Sequence, residues 1–180
     1  MIKKGIARRY ARALFGLGEK DGKYKMYMEE LVNLTTVLNA NKSLFRAVMF
    51  PLHDIKFRKE ILNDLAKGMN ISSPVLNLLI LLVENERIKY LPYILEDYSK
   101  LVDEKENVIR GKIYSPYPLE EEILKEIEGI LSEKLKKKVI LDVVEDKTLI
   151  GGLKLALNGI VLDGTIRKQL EIMKETILKE

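Results

Sequence analysis

Cysteine is absent from the chain, which excludes disulfides, thiolate nucleophiles and cysteine-held metals. Tryptophan is absent as well, and there is one histidine, His53, beside Pro51 in an expected loop. A lone histidine with no clustered carboxylates makes neither a metal site nor an acid–base pair. Long apolar runs are missing too. The longest, Val75 to Val83, is broken by Asn77 and is about half the roughly 18–20 residues needed to span a bilayer. Acids are missing from the opening stretch: Lys3, Lys4, Arg8, Arg9 and Arg12 all precede the first, Glu19.

That basic tip accounts for the net charge of +4, because the remainder is close to balanced. It superficially resembles a mitochondrial transit peptide, but it contains no serine and runs straight into a helical pattern without a cleavage-like break. Hydrophobic residues at 47% and charged residues at 32% imply a packed core and exclude a disordered chain. Lysine and glutamate dominate the charges, a composition common in heat-adapted proteins.

From Gly5 to about Lys105 the pattern is helix after helix. The first is expected over Ile6 to Glu19, ending at the Asp21-Gly22 turn. The second, Lys23 to Asn39, carries Tyr27, Leu31, Leu34 and Leu38 at helical spacing. A short third covers Lys42 to Met49 and stops before Pro51. The fourth follows Asp54 as N-cap and ends near Gly68. The fifth begins at Ser72 with Pro74 in its first turn, and the sixth runs from Tyr90 or Leu91 to Lys105. Beyond Glu106 the period changes. Strands are expected at Val108 to Tyr114, Val139 to Val144, Leu153 to Leu157 and Ile160 to Leu162, the last two joined by Asn158-Gly159 as a hairpin. A helix from Leu119 to Leu135 would bury Ile123, Ile127, Ile130 and Leu131, and Asp163 would cap a final helix. The expected fold is mainly α with a small α+β part: a six-helix bundle over 1–105, then a small α/β domain over 106–180.

No motif with chemistry survives inspection. Gly16-Leu17-Gly18 and Gly22-Lys23 have the wrong spacing for a phosphate loop, and Tyr24 stands where a magnesium-binding hydroxyl would be needed. Gly151-Gly152 lies between strands, so a bulge or a close backbone approach is the better reading. Glu120, Glu121 and Glu122 sit in a first helical turn, where negative charge is stabilising without any catalytic role. No cofactor is expected. What is in excess is apolar surface on two helices. In the fifth, apolar residues cover roughly 260° of the circumference, where one core-facing stripe needs little more than about 100°. The helix is either central in the bundle or shared between core and groove. In the first helix, Ile6, Tyr10, Ala13, Leu14 and Leu17 form a core stripe that Ala7, Ala11 and Phe15 widen. Two such helices imply a receptor groove for another helix.

Three separated segments resemble one family. Ala7-Arg8-Arg9-Tyr10-Ala11-Arg12-Ala13-Leu14-Phe15 is similar to the opening signature of F-type ATP synthase δ subunits, the family of the mitochondrial oligomycin-sensitivity-conferring protein. Asn77-Leu78-Leu79 with Val83-Glu84-Asn85-Glu86-Arg87-Ile88 resembles a second family segment. Leu149-Ile150-Gly151-Gly152 followed by Asp163-Gly164-Thr165-Ile166-Arg167 and Leu170 resembles its C-terminal block, with Thr165 where serine is commoner. The resemblance implies a non-catalytic stator subunit. Its bundle would hold the N-terminal helix of an α subunit on the catalytic head through the first and fifth helices. Its C-terminal domain would engage b-type stalk subunits. On that basis Tyr10, Ala13, Leu14, Leu79, Leu82 and Val83 are expected to contact the α subunit, with charged replacements at Leu79 or Leu82 weakening head binding without unfolding. Arg167, Leu170, Met173 and Ile177 are expected at the stalk. The protein would be a monomer within the complex, held to the cytoplasmic face of the bacterial inner membrane only through it. Rival readings are an unrelated helical adaptor, or a nucleic-acid-binding domain using the basic tip. The second conflicts with the charge balance elsewhere and the lack of a basic stripe with interleaved aromatics.

Overall fold

The computed structural model describes residues 2–50, 54–157 and 159–177, with side chains from residue 5 to 176 within those ranges. His53 and Asn158 lie outside the described residues, as does the side chain of Ile177. The chain divides into two compact units, Met1–Val102 and Asp103–Glu180.

The first unit consists of α1 (Ile2–Lys20), α2 (Tyr24–Ala40), α3 (Lys42–Met49), α4 (Ile55–Met69), α5 (Ser73–Glu84), a single 3-10 turn (Ile88–Tyr90) and α6 (Leu91–Lys105). Helix α1 starts before the expected Ile6, since nothing between Ile2 and Gly5 breaks a helix. Between α1 and α2 the chain reverses at Gly22, whose φ of +73° favours glycine, while Asp21 Oδ1 accepts from the Lys23 amide at 3.0 Å. Gly18 allows the close crossing: a β-carbon there would lie 2.8 Å from Tyr24 Cα.

Tyr27, Leu31, Leu34 and Leu38 recur every three or four residues along α2, and all four are buried against Leu14, Leu62, Val75, Leu79, Leu82, Ile94 and Tyr98. Each such leucine contributes about 1.5–3 kcal/mol by leaving water. Two polar anchors fix helix ends within this core. Buried Arg58 donates from Nε and Nη2 to the Val48 carbonyl, at 3.2 and 2.7 Å, satisfying an acceptor in the last turn of α3. Glu30 Oε2 on α2 accepts from the Ser72 amide at 3.0 Å and from its hydroxyl at 2.6 Å, placing a carboxylate at the positive end of α5. Ser72 occupies the expected N-cap position, but its hydroxyl donates to Glu30 instead of accepting from the helix.

The second unit contains β1 (Val108–Ser115), α7 (Glu121–Leu135), β2 (Lys138–Glu145), β3 (Lys154–Leu157), β4 (Ile160–Asp163) and α8 (Ile166–Ile177). The sheet order is β2-β1-β3-β4. Strands β1 and β2 pair in parallel, Gly111 opposite Leu141, as a crossover through α7 requires; β3 and β4 add antiparallel. Leu124, Ile127 and Leu131 of α7 cover Ile113, Val139, Leu141 and Leu157. The expected Ile123 and Ile130 face outward instead, because the buried stripe runs through Leu124, one position round the helix. Helix α7 also closes the β2 edge: Glu128 Oε1 accepts from the Leu141 amide at 2.7 Å, and Ser132 Oγ from the Val139 amide at 2.9 Å. The architecture is therefore a helical N-terminal region followed by a small α/β domain with a mixed sheet.

Candidate partner-binding groove

Helices α1 and α5 are neighbours, and each turns the same kind of stripe toward a shared cleft. From α1 come Tyr10, Ala13, Leu14 and Leu17; from α5 come Pro74, Asn77, Leu78 and Leu81. Both sets follow the spacing i, i+3, i+4, i+7, which places four residues along one face of a helix. Together they line an apolar groove of about 300 Å³. Its floor is Leu14 and Leu78, both buried; its open wall includes Leu17 and Leu81, which remain 51% and 44% exposed. At its end Arg87 Nη1 donates to the Tyr10 hydroxyl at 3.0 Å, tying the segment after α5 to α1.

Tyr10, Ala13 and Leu14 therefore line the groove, whereas Leu79, Leu82 and Val83 do not. Leu79 and Leu82 are 1% and 0% exposed, and Val83 is equally buried, all within the bundle core. At 100° per residue Leu79 and Val83 lie on the far side of α5 from the 74-77-78-81 stripe, and Leu82 lies about a quarter turn from its centre. The two uses of α5 occupy different sides of the helix, and its nearly continuous apolar circumference gives the sequence no phase to separate them. Leu17, Pro74, Asn77, Leu78 and Leu81 are thus groove residues outside the set expected from the sequence. The signal available for them was the i, i+3, i+4, i+7 match between the two helices. The apolar widening of α1 also has a different use from the one expected. Ala7 and Ala11 are fully buried, and Phe15 packs on Tyr24 and Tyr98, with ring centroids 5.8 Å apart in both pairs. Small side chains there let α1 settle close against its own bundle.

The C-terminal motif builds a second surface. Gly152 has a φ of +83°, and a β-carbon on it would sit 2.4 Å from the Gly164 carbonyl oxygen and 2.9 Å from Thr165 Cα. The glycine pair is thus a close backbone approach between the segment before β3 and the segment before α8. The Gly164 amide donates to the Leu153 carbonyl, and the Ile166 amide to the Gly151 carbonyl, each at 3.0 Å. Thr165, not Asp163, supplies the cap: its Oγ1 accepts from the Lys168 amide at 3.3 Å. Asp163 Oδ1 in turn accepts from the Thr165 amide at 3.0 Å and hydroxyl at 2.7 Å, which aims that hydroxyl; these bonds hold the Asp163 carboxyl below its ordinary pKa. The helix so anchored leaves its apolar residues bare, with Leu170 57% and Met173 60% exposed, and Arg167 exposed beside them.

Among the described residues no His, Cys, Asp and Glu group is placed to hold a metal ion, and no helix is long and apolar enough to cross a membrane.

Known proteins carry the same organisation. The family model described as ATP synthase delta (OSCP) subunit matches residues 6–177. An ATP synthase subunit delta of Desulfosudis oleivorans is 36% identical over 174 residues, covering 97% of this chain and 95% of that protein. One of Clostridium beijerinckii is 32% identical over 175 residues, covering 97% of each. In fold, a chain in the cryo-EM structure of the Toxoplasma gondii mitochondrial ATP synthase hexamer superposes with a TM-score of 0.71 at 23% identity, over 96% of this chain and 97% of that one. With the family model and both relatives running nearly end to end, the chain belongs to the ATP synthase delta (OSCP) subunit family.

Proposed function

We propose that this chain is a non-catalytic stator link of an F-type ATP synthase, joining the catalytic head to the peripheral stalk. The observation that carries this reading is the α1–α5 groove, where two matched helical stripes leave an apolar channel unfilled by the chain itself. Its occupant is the N-terminal helix of an α subunit, whose apolar face would cover Leu17 and Leu81 and rest on Leu14 and Leu78. The bare face of α8 with Arg167, Leu170 and Met173 is the proposed contact for b-type stalk subunits, and Ile177, whose side chain is outside the described residues, is proposed alongside them. A larger depression of about 510 Å³ among Val37, Leu44, Ile61, Leu65 and Met69 lacks paired stripes and is not assigned.

A link that carries rotor torque needs slow release, hence nanomolar or tighter binding, about −12 kcal/mol. Membrane attachment is through the complex alone, with the chain a monomer on the cytoplasmic face of a bacterial inner membrane. The test is a calorimetric titration of the full chain with a peptide from the N-terminus of the same organism's α subunit. Tight 1:1 binding with a negative heat-capacity change supports the reading. A folded chain that binds no such peptide overturns it.

A further inference from the structure

The groove has unequal banks. On the outer flank of α1, Arg9 lies one turn before Ala13 and Lys20 three residues beyond Leu17, so both cations border the exposed side of the lining stripe. Both are exposed, and neither has an ion pair or hydrogen bond among the described residues. They stand 11 positions apart, about 16 Å or three turns. Helix α5 itself carries no cation to match them, since Asn77 is uncharged and Glu84 is already paired with Lys59 at 2.5 Å; Arg87, beyond the helix, is engaged by the Tyr10 hydroxyl at the groove's end.

Building on the proposed function, we infer that the groove selects an amphipathic helix with two acidic residues about three turns apart along the edge facing α1, met by Arg9 and Lys20. Apolar contact supplies most of the hold. The two charge pairs set which edge of the guest lies against α1, and so its rotation in the groove. Reversing the guest's charge would place like charges together at both ends of the contact, a penalty that specificity uses more than affinity does. Arg8 projects to the far side of α1 and takes no part.

The experiment titrates the full chain with two versions of the α-subunit N-terminal peptide, carrying Glu or Lys at two edge positions three turns apart. Proteins compared are the unaltered chain, the double variant Arg9→Glu/Lys20→Glu, and Arg8→Glu as a control that reverses one charge on the far side of α1. The expected result is roughly tenfold preference of the unaltered chain for the Glu peptide in low salt, lost in about 0.5 M salt and reversed in the double variant. Arg8→Glu should behave as the unaltered chain. Equal binding of both peptides to all three proteins overturns the charge inference and leaves the groove assignment standing. No binding of either peptide by the folded, unaltered chain overturns both.

Discussion

Arg87 donates from Nη1 to the Tyr10 hydroxyl at 3.0 Å, joining residues 77 positions apart and two of the three segments that carry the family resemblance. The bond spans the end of the groove, from the turn after α5 to α1. Its loss is expected to loosen the relation between the two walls without exposing core. Tyr10→Phe keeps the ring and removes the acceptor, costing about 1–2 kcal/mol and lowering the melting temperature by about 2–6 °C. Scanning calorimetry measures this. An unchanged melting temperature together with unchanged affinity for the α-subunit peptide would show that the bond holds nothing in place.

The two sides of α5 give a sharper contrast. Leu82→Asp puts a carboxylate into the bundle core and is expected to unfold the first unit, because a buried unpaired charge costs several kcal/mol. Leu81→Asp, one position along, faces the groove and is expected to keep the helical circular-dichroism signal while abolishing peptide binding. This replaces the sequence-based expectation that a charge at Leu79 or Leu82 would spare the fold. A stable Leu82→Asp variant, or a Leu81→Asp variant that still binds, would reverse the assignment of the two faces.

That contrast also marks where the sequence is readable. Helix positions in the bundle followed from stripes of apolar residues with polar ones opposite, as in Tyr27, Leu31, Leu34 and Leu38 of α2. Helix α5 has no polar side wide enough to fix a phase, so its existence was legible and its orientation was not. Caps fared similarly. Asp163 has the right residue type two positions too early, and only the placed hydroxyl of Thr165 separates the cap from the residue that aims it. Glu30, 42 positions from Ser72, left no local trace at all, since its partnership is made by packing. Gly151-Gly152 was readable as a bulge or a close approach, and the structure shows the second; Gly164 as its counterpart was not legible.

Glu30 yields a third expectation. Its carboxylate accepts two hydrogen bonds at the start of α5, the helix that forms one wall of the groove. Glu30→Ala leaves the Ser72 amide without that acceptor and removes negative charge from the helix N-terminus, for a loss of about 1–3 kcal/mol. Urea denaturation should show a lower midpoint with an unchanged slope, the mark of lost stability without altered compactness. An unaltered midpoint would mean that water replaces the carboxylate at no cost.

Gly152 tests the second unit separately. An alanine there meets both a φ of +83° and a β-carbon 2.4 Å from the Gly164 carbonyl oxygen, a contact that backbone on both sides prevents from relaxing cheaply. Gly152→Ala is expected to cost more than about 1 kcal/mol and to free the start of α8. Hydrogen exchange should then accelerate at the Gly164 and Ile166 amides, which donate across this junction, while α2 exchanges as before. Protection retained at both amides would show that the close approach is dispensable.

Tyr27 and Asp21 predict pH dependence at both extremes from one hydrogen bond. The Tyr27 hydroxyl donates to Asp21 Oδ2, and this bond, with burial of the ring, raises the phenol to about 12. A folded-state value above the unfolded one means that the stabilisation is complete below about pH 10 and is lost as pH rises toward about 12. Asp21 is shifted the opposite way, below its ordinary value, chiefly by the same bond. Its contribution is therefore present above about pH 4 and lost as pH falls through the folded-state value. Tyr27→Phe should flatten both limbs, though Tyr98, whose buried phenol is also raised, keeps part of the alkaline loss. The check is a set of urea midpoints from pH 3 to pH 11 for both proteins. Parallel profiles would place the titrating groups elsewhere and remove this pair from the account of the α1–α2 turn.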